Sequence, residues 1–278
     1  MFDTTRRAAV RASRHREGLS EHDEPPDCRG VPCRGPLQSC LRSGRLGAGC
    51  RSRHRRCRAP PAPQSATPQS ATTKPASDLS VSVTLKGTTD YVWRGVSQSD
   101  NDPAVFAVVN LGYKGFYLGA ETENVRFAGI KQEWDMWGGY VARLGGGVSL
   151  DVGFVRYGYV DAPVDIDTFE VKAALSGKVG PASVSLAGYH TWDYFGTGEN
   201  ATYVELGASA PVMDKLSISA AAARQQIDRL SDYTTWNAGL SYQVLPGASV
   251  DLRYYDTDLD KLGRLSKARV VGAFTVTF

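Results

Sequence analysis

No cysteine occurs after Cys57, so all 5 lie in the first 57 residues of a 278-residue chain. A disulfide framework therefore cannot staple the larger part of the molecule. Aromatics are scarce in that same first stretch: Phe2 is the only Phe, Trp or Tyr before residue 79. No stretch reaches the ~18 consecutive apolar residues of a membrane-crossing helix. Beyond residue 78, His190 is the only histidine, which excludes a histidine-based metal cluster there. Positive charge is also uneven. Residues 1–78 hold 15 Lys+Arg against 7 Asp+Glu, whereas residues 79–278 hold 17 against 22. The overall net charge of +3 averages two unlike segments and does not indicate a nucleic-acid partner.

Residues 1–78 read as a disordered, Arg- and Pro-rich segment, with runs such as Ala59-Pro60-Pro61-Ala62-Pro63. Such a composition buries too little apolar surface to offset the entropy of ordering. Cys28, Cys33, Cys40, Cys50 and Cys57 lack the paired short spacing of a zinc site. Arg51, Arg53, Arg55, Arg56 and Arg58 have no interleaved aromatics and read as a solvated run. Leu46-Gly47-Ala48-Gly49-Cys50 resembles a lipoprotein signal, but no apolar run precedes it. The segment before about Gln64 is expected to be a wrong start or a shifted reading frame over a true signal peptide. The upstream DNA, read in the other frames for an apolar stretch, tests that.

From Leu79 onward the dominant period is two. Val81, Val83 and Leu85 alternate with Ser80, Ser82, Thr84 and Lys86. Val250, Leu252 and Tyr254 alternate with Asp251, Arg253 and Tyr255. Twelve such segments follow one another, near 79–93, 103–113, 116–125, 132–144, 147–159, 166–178, 182–193, 201–210, 215–226, 233–244, 247–257 and 267–278. Most reach the ~9–11 residues of a tilted membrane-crossing strand. Short connections such as Lys114-Gly115 alternate with longer polar ones such as 194–200. The pattern predicts an all-β fold: an antiparallel transmembrane up-and-down barrel of about twelve strands, spanning residues 79–278. A sheet in lipid must close because every edge must be paired.

Alternation also assigns faces. Leu150, Val171, Leu252 and Phe274 are expected to meet lipid. The expected lumen-facing charges are Lys86, Asp90, Glu121, Glu123, Glu133, Asp135, Arg143, Asp151, Glu170, Lys172, Glu205, Asp251, Arg253 and Arg269, with acids in excess. Glu170 and Lys172 are placed to pair across the wall. Aromatics gather near the segment ends and predict interface girdles. Tyr91, Trp93, Trp134, Tyr157, Tyr159, Trp192, Tyr194, Tyr203, Tyr233, Trp236, Tyr254 and Tyr255 belong toward the longer loops. Tyr113, Phe116, Tyr117, Tyr242 and Phe278 belong toward the short turns. Phe278, a terminal aromatic on an alternating last strand, looks like the signal read by the outer-membrane assembly machinery.

The run Tyr91-Val92-Trp93-Arg94-Gly95-Val96-Ser97-Gln98-Ser99-Asp100-Asn101-Asp102-Pro103-Ala104 resembles the opening of the porin-like TorF family, also called Gcw_chp-type proteins. Gly115-Phe116-Tyr117-Leu118-Gly119 with Asn124-Val125, Glu133 and Asp135 before Gly139-Tyr140, and Asp193-Tyr194-Phe195-Gly196 leading to Tyr203-Val204-Glu205-Leu206-Gly207 match as well. The resemblance covers about residues 79–278. It implies an outer-membrane barrel of Gram-negative bacteria, counted among porins by architecture, and brings no catalytic residues. Within the motif loop, Tyr91, Arg94, Gly95, Ser97, Gln98, Asp100 and Pro103 stand out. Arg94 can pair with Asp90, Asp100 or Asp102, and Gly95 permits a tight bend. The loop is either pinned by its own hydrogen bonds or is a constriction or ligand contact.

The expected function is passive diffusion of small polar solutes or ions through an outer-membrane channel. The alternatives are a plugged structural or surface-binding barrel and an outer-membrane hydrolase built around His190. No spacing singles out a nucleophile beside His190, so an interfacial role is the expected one. The expected partners are outer-membrane lipid, the assembly machinery and small solutes. No cofactor or metal is expected, and no feature selects an oligomeric state.

Overall fold

The computed structural model describes residues 79–278. The expectations for residues 1–78, including the disordered segment and the shifted start, lie outside the described residues. Twelve antiparallel strands close into an up-and-down barrel, with a two-stranded ribbon folded from one connection. The barrel strands are β1 (Leu79–Thr88), β4 (Ala104–Tyr113), β5 (Phe116–Phe127), β6 (Ile130–Gly145), β7 (Val148–Tyr159) and β8 (Thr168–Val179). They continue with β9 (Ala182–Thr191), β10 (Ala201–Met213), β11 (Leu216–Ile227), β12 (Tyr233–Leu245), β13 (Ala248–Thr257) and β14 (Arg269–Thr277). The ribbon is β2 (Val92–Trp93) with β3 (Val96–Ser97), and 3-10 turns over Asp260–Ser266 precede β14.

Each strand pairs with its sequence neighbour, and β1 closes on β14 with Thr84 opposite Thr277 and Thr88 opposite Ala273. Phe278 completes the seam: its N–H donates to Val83 O at 2.9 Å and its carbonyl accepts from Val83 N–H at 3.2 Å. Its ring lies outside the barrel. Among the described residues no barrel strand is left with an open edge, as lipid requires.

The period of two puts large apolar side chains outside. Leu252 is 59% exposed and Phe274 50%, and Leu85, Leu118, Leu186, Leu206 and Ile218 join them. In water this wall would be an aggregation surface; against hydrocarbon it is the favourable side. Tyr113, Phe116 and Tyr140 lie on the outer face near the short turns, with Trp192, Trp236 and Tyr254 on the outer face near the long loops.

Two boundaries differ from expectation. The first strand stops at Thr88, not residue 93, because the chain turns into the barrel. The connection expected over 126–131 shrinks to Ala128-Gly129. Both have positive φ (49° and 87°), the geometry of a tight hairpin turn that carries Phe127 and Ile130 inward.

Candidate functional site: the inward hairpin and the charged lumen

The half of the barrel nearest the long loops is filled. The motif segment does not stand outside as a surface loop; Trp93 and Gln98 are 0% exposed. Trp93 meets the rings of Tyr157 on β7 and Phe195 edge-on, at 6.0 and 5.9 Å between centroids. Tyr91 meets Phe106 on β4 in the same way at 4.8 Å. Tyr91, Trp93, Tyr157, Tyr159, Tyr194, Tyr203 and Tyr233 are all buried in one core inside the barrel. For these seven the girdle expectation is corrected: they lie in or around the hairpin, and Tyr117, which donates to Asp151 Oδ1 at 2.6 Å, and Tyr255 on β13 face inward as well. The cause is parity, since Tyr157, Tyr159, Tyr203 and Tyr233 share the face of Asp135, Glu170 and Gln225.

Arg94 is the centre of the arrangement. Its guanidinium donates to Glu170 Oε2 on β8 at 2.6 Å and to Gln225 Oε1 on β11 at 2.8 Å. It also stacks over Trp93 at 4.2 Å and Tyr203 at 4.1 Å. Both members of the ion pair are 1% exposed. Burial alone would depress the pKa of Arg94, but the Glu170 carboxylate more than reverses this and holds it above its usual value. The local partners expected for Arg94 are taken by other cations. Asp90 pairs with Arg269 at 2.6 Å, Asp100 with Arg264 at 2.6 Å, and Asp102 with Arg126.

The other motif residues shape and anchor the turn. Gly95 has φ +83°, and a methyl group there would collide with Thr235 Oγ1 on β12. Ser97 and Ser99 hydroxyls donate to Asp90 Oδ1 at 2.6 and 3.0 Å, so Asp90 ties the hairpin base to itself and to β14. Gln98 Nε2 donates to Val96 O at 3.1 Å. Pro103 O accepts from Asn124 Nδ2 at 3.1 Å, fixing the return to β4. Tyr91 O–H reaches Glu133 Oε2 at 3.1 Å and Glu123 Oε1 at 3.3 Å. Burial, reinforced by Glu133 and Glu123, pushes the pKa of this phenol well up, so it stays a donor.

On the barrel strands the charged residues of the alternation lie on the face opposite the exposed apolar side chains, and Asp90 lies in the connection after β1. Lys172 pairs with Asp151 at 2.5 Å, not with Glu170, which is engaged by Arg94. Arg253 binds Asp251 at 3.0 Å and reaches Asn237 and Ser219, both at 2.8 Å. Glu205 accepts from Tyr203 O–H at 2.8 Å. Lys86 lies 4.7 Å over the Phe106 ring. Arg143 lies on the inner face near the short turns. Glu121 and Asp135 stand opposite each other on β5 and β6, as do Glu123 and Glu133. Nearer the short turns the inward residues become small and polar, with Ser149, Ser185, Ser219, Ser241 and Thr275 among them.

Sequence reasoning missed Gln225 and Thr235, which receive the hairpin, and the packing role of Phe195. Only their inward parity gave any signal. His190 faces outward, its Nδ1 2.9 Å from Thr202 Oγ1 and its ring edge-on to Trp192 at 4.8 Å. That is a rim position on the outer wall.

A closed barrel with an apolar outside and a charged interior defines a bacterial outer-membrane β-barrel. Residues 71–278 match the model of the family described as "Bacterial protein of unknown function (Gcw_chp)", and the chain belongs to that family. No curated protein matches it in sequence. Solved structures share the fold. The NanC porin superposes with a TM-score of 0.53 at 12% identity, over 70% of this chain and 98% of that one. The KdgM porin gives 0.51 at 11%, over 71% and 98%.

Proposed function

We propose that the protein is an outer-membrane channel for small polar solutes and ions, with a preference for cations, constricted by the Tyr91–Ser99 hairpin. The observation that carries this reading is the excess of carboxyl groups left on the inner wall. Arg94–Glu170, Lys172–Asp151, Arg253–Asp251 and Arg269–Asp90 cancel in pairs. Glu121, Glu123, Glu133, Asp135 and Glu205 remain against Lys86 and Arg143. Twelve strands lie between the side-chain-filled barrels of about eight and the open porins of about sixteen. Wall charges in so narrow a path act at short range on a permeating ion. One solved KdgM structure holds oligogalacturonate, a polyanion. The acid excess here argues against such a cargo and for small cations and neutral polar solutes.

The test is conductance of the folded full chain in planar bilayers under a salt gradient. The reversal potential should favour cations, and replacing Glu121 and Glu123 together by Gln should reduce that preference. An anion-favouring potential in the unmodified protein defeats the assignment. The dense bonding of the hairpin favours one second reading, a plugged barrel with a structural or surface-binding role. Absence of conductance both in the native protein and after residues 91–99 are exchanged for Gly and Ser selects it. In either reading we take Phe278 as the residue presented to the assembly machinery.

A further inference from the structure

The β5–β6 wall holds an arrangement the channel reading does not explain. Like charges directly opposite each other on paired strands destabilise a sheet. Here two such pairs are adjacent, Glu121 with Asp135 and Glu123 with Glu133. Glu133 is satisfied, accepting hydroxyl donors from Tyr91 at 3.1 Å and Tyr159 at 3.0 Å. Asp135 is not: it is 1% exposed, and neither of its carboxylate oxygens has a hydrogen-bond partner. Oε2 of Glu123, 3% exposed, has none either. An unpaired buried carboxylate costs several kcal/mol through lost hydration. Elsewhere in this lumen Glu170, Asp151, Asp251 and Asp90 each have a cation in contact.

Glu121, Glu123 and Asp135 each place a carboxylate oxygen so that all three lie within 4.8 Å of one another. Oxygens that share one calcium ion at 2.3–2.6 Å can stand no farther apart than about twice that bond length. The donors are all hard oxygens, which suit calcium or magnesium and not the softer metals that prefer nitrogen and sulfur. We propose that Glu121, Glu123 and Asp135 form a site for a divalent cation of the calcium type, set in the barrel wall beside the foot of the hairpin. The unpartnered oxygens of Asp135 and Glu123 become ligands, and the opposed pair Glu121 and Asp135 becomes a bridged pair. Glu123 Oε1 also lies 3.3 Å from the Tyr91 hydroxyl, whose one proton it shares with Glu133, so the bound ion steadies a residue on which the hairpin rests.

Terbium luminescence tests this, because Tyr91, in contact with Glu123, can sensitise an ion held there. The folded full chain in detergent is titrated with terbium and the signal is then competed with calcium or magnesium. One saturable site is expected, displaced by calcium at lower concentration than by magnesium. Asp135→Asn should weaken binding at least tenfold, whereas Asp214→Asn in an exposed short turn should leave it unchanged. Heat-modifiable migration on gels verifies that each variant is folded. If Asp135→Asn does not fold, Glu121→Gln, at a partly exposed position, decides: it too should weaken binding at least tenfold. No saturable signal, or equal affinity in the native protein and the folded variants, overturns the proposal and leaves carboxyls that share protons.

Discussion

Arg94 shows how much one side chain can carry. Removing one partner of a buried ion pair leaves the other charge uncompensated, a loss of about 3–5 kcal/mol. Arg94→Ala should therefore release the hairpin from Glu170 and Gln225. The expected readouts are a larger single-channel conductance and cleavage of residues 91–99 by added protease. Arg94→Ala combined with Glu170→Gln should restore part of the lost stability, because the orphaned carboxylate is gone. Equal stability of the single and double variants would show that the pair is not what holds the hairpin. Gly95→Ala should act in the same direction for a steric reason, through its positive φ and the nearby Thr235 hydroxyl.

At the scale of the strand, the alternation makes opposite demands on neighbouring residues. Leu252→Arg places a charge against hydrocarbon and should cost about 2–4 kcal/mol near the bilayer midplane. Ser249→Asn, on the inner face of the same strand and near a short turn, should be close to neutral. Urea titration in lipid vesicles compares the two, and a reversed order would shift the register by one residue. Not every inner position is permissive: Asp151, Lys172 and Arg253 sit in bonded networks, so polar exchange there breaks contacts. Inner-face membership was legible in the period of two. Bonding within the lumen was not, because alternation gives a face without saying which strand stands opposite.

For the whole molecule, closure depends on its last residue. The backbone of Phe278 bonds to Val83 in both directions, while its ring stays outside. Deleting Phe278 should remove both the seam bonds and the terminal aromatic, whereas Phe278→Asp keeps the backbone. Both should lower the amount of heat-modifiable protein in the outer membrane, the deletion more. Equal insertion of both variants and the native chain would set aside Phe278 as an assembly residue.

The strand number, the order of short turns and long loops, and the apolar and polar faces followed from the sequence alone. All of these are local: each depends on residues two apart or on a single connection, and a closed up-and-down barrel joins neighbours in chain order. Tertiary structure decided what fills the lumen. Arg94 meets Glu170 across 76 residues and Gln225 across 131. Strand parity already turned Tyr157, Tyr159, Tyr203 and Tyr233 inward; the tertiary structure decided that they pack in a core inside the barrel. A side chain on the inner face near a strand end either lines open water or packs on whatever folds inside. That choice was made by the Tyr91–Ser99 hairpin, whose inward course depends on partners such as Glu170 and Gln225, held on strands far from it in the sequence.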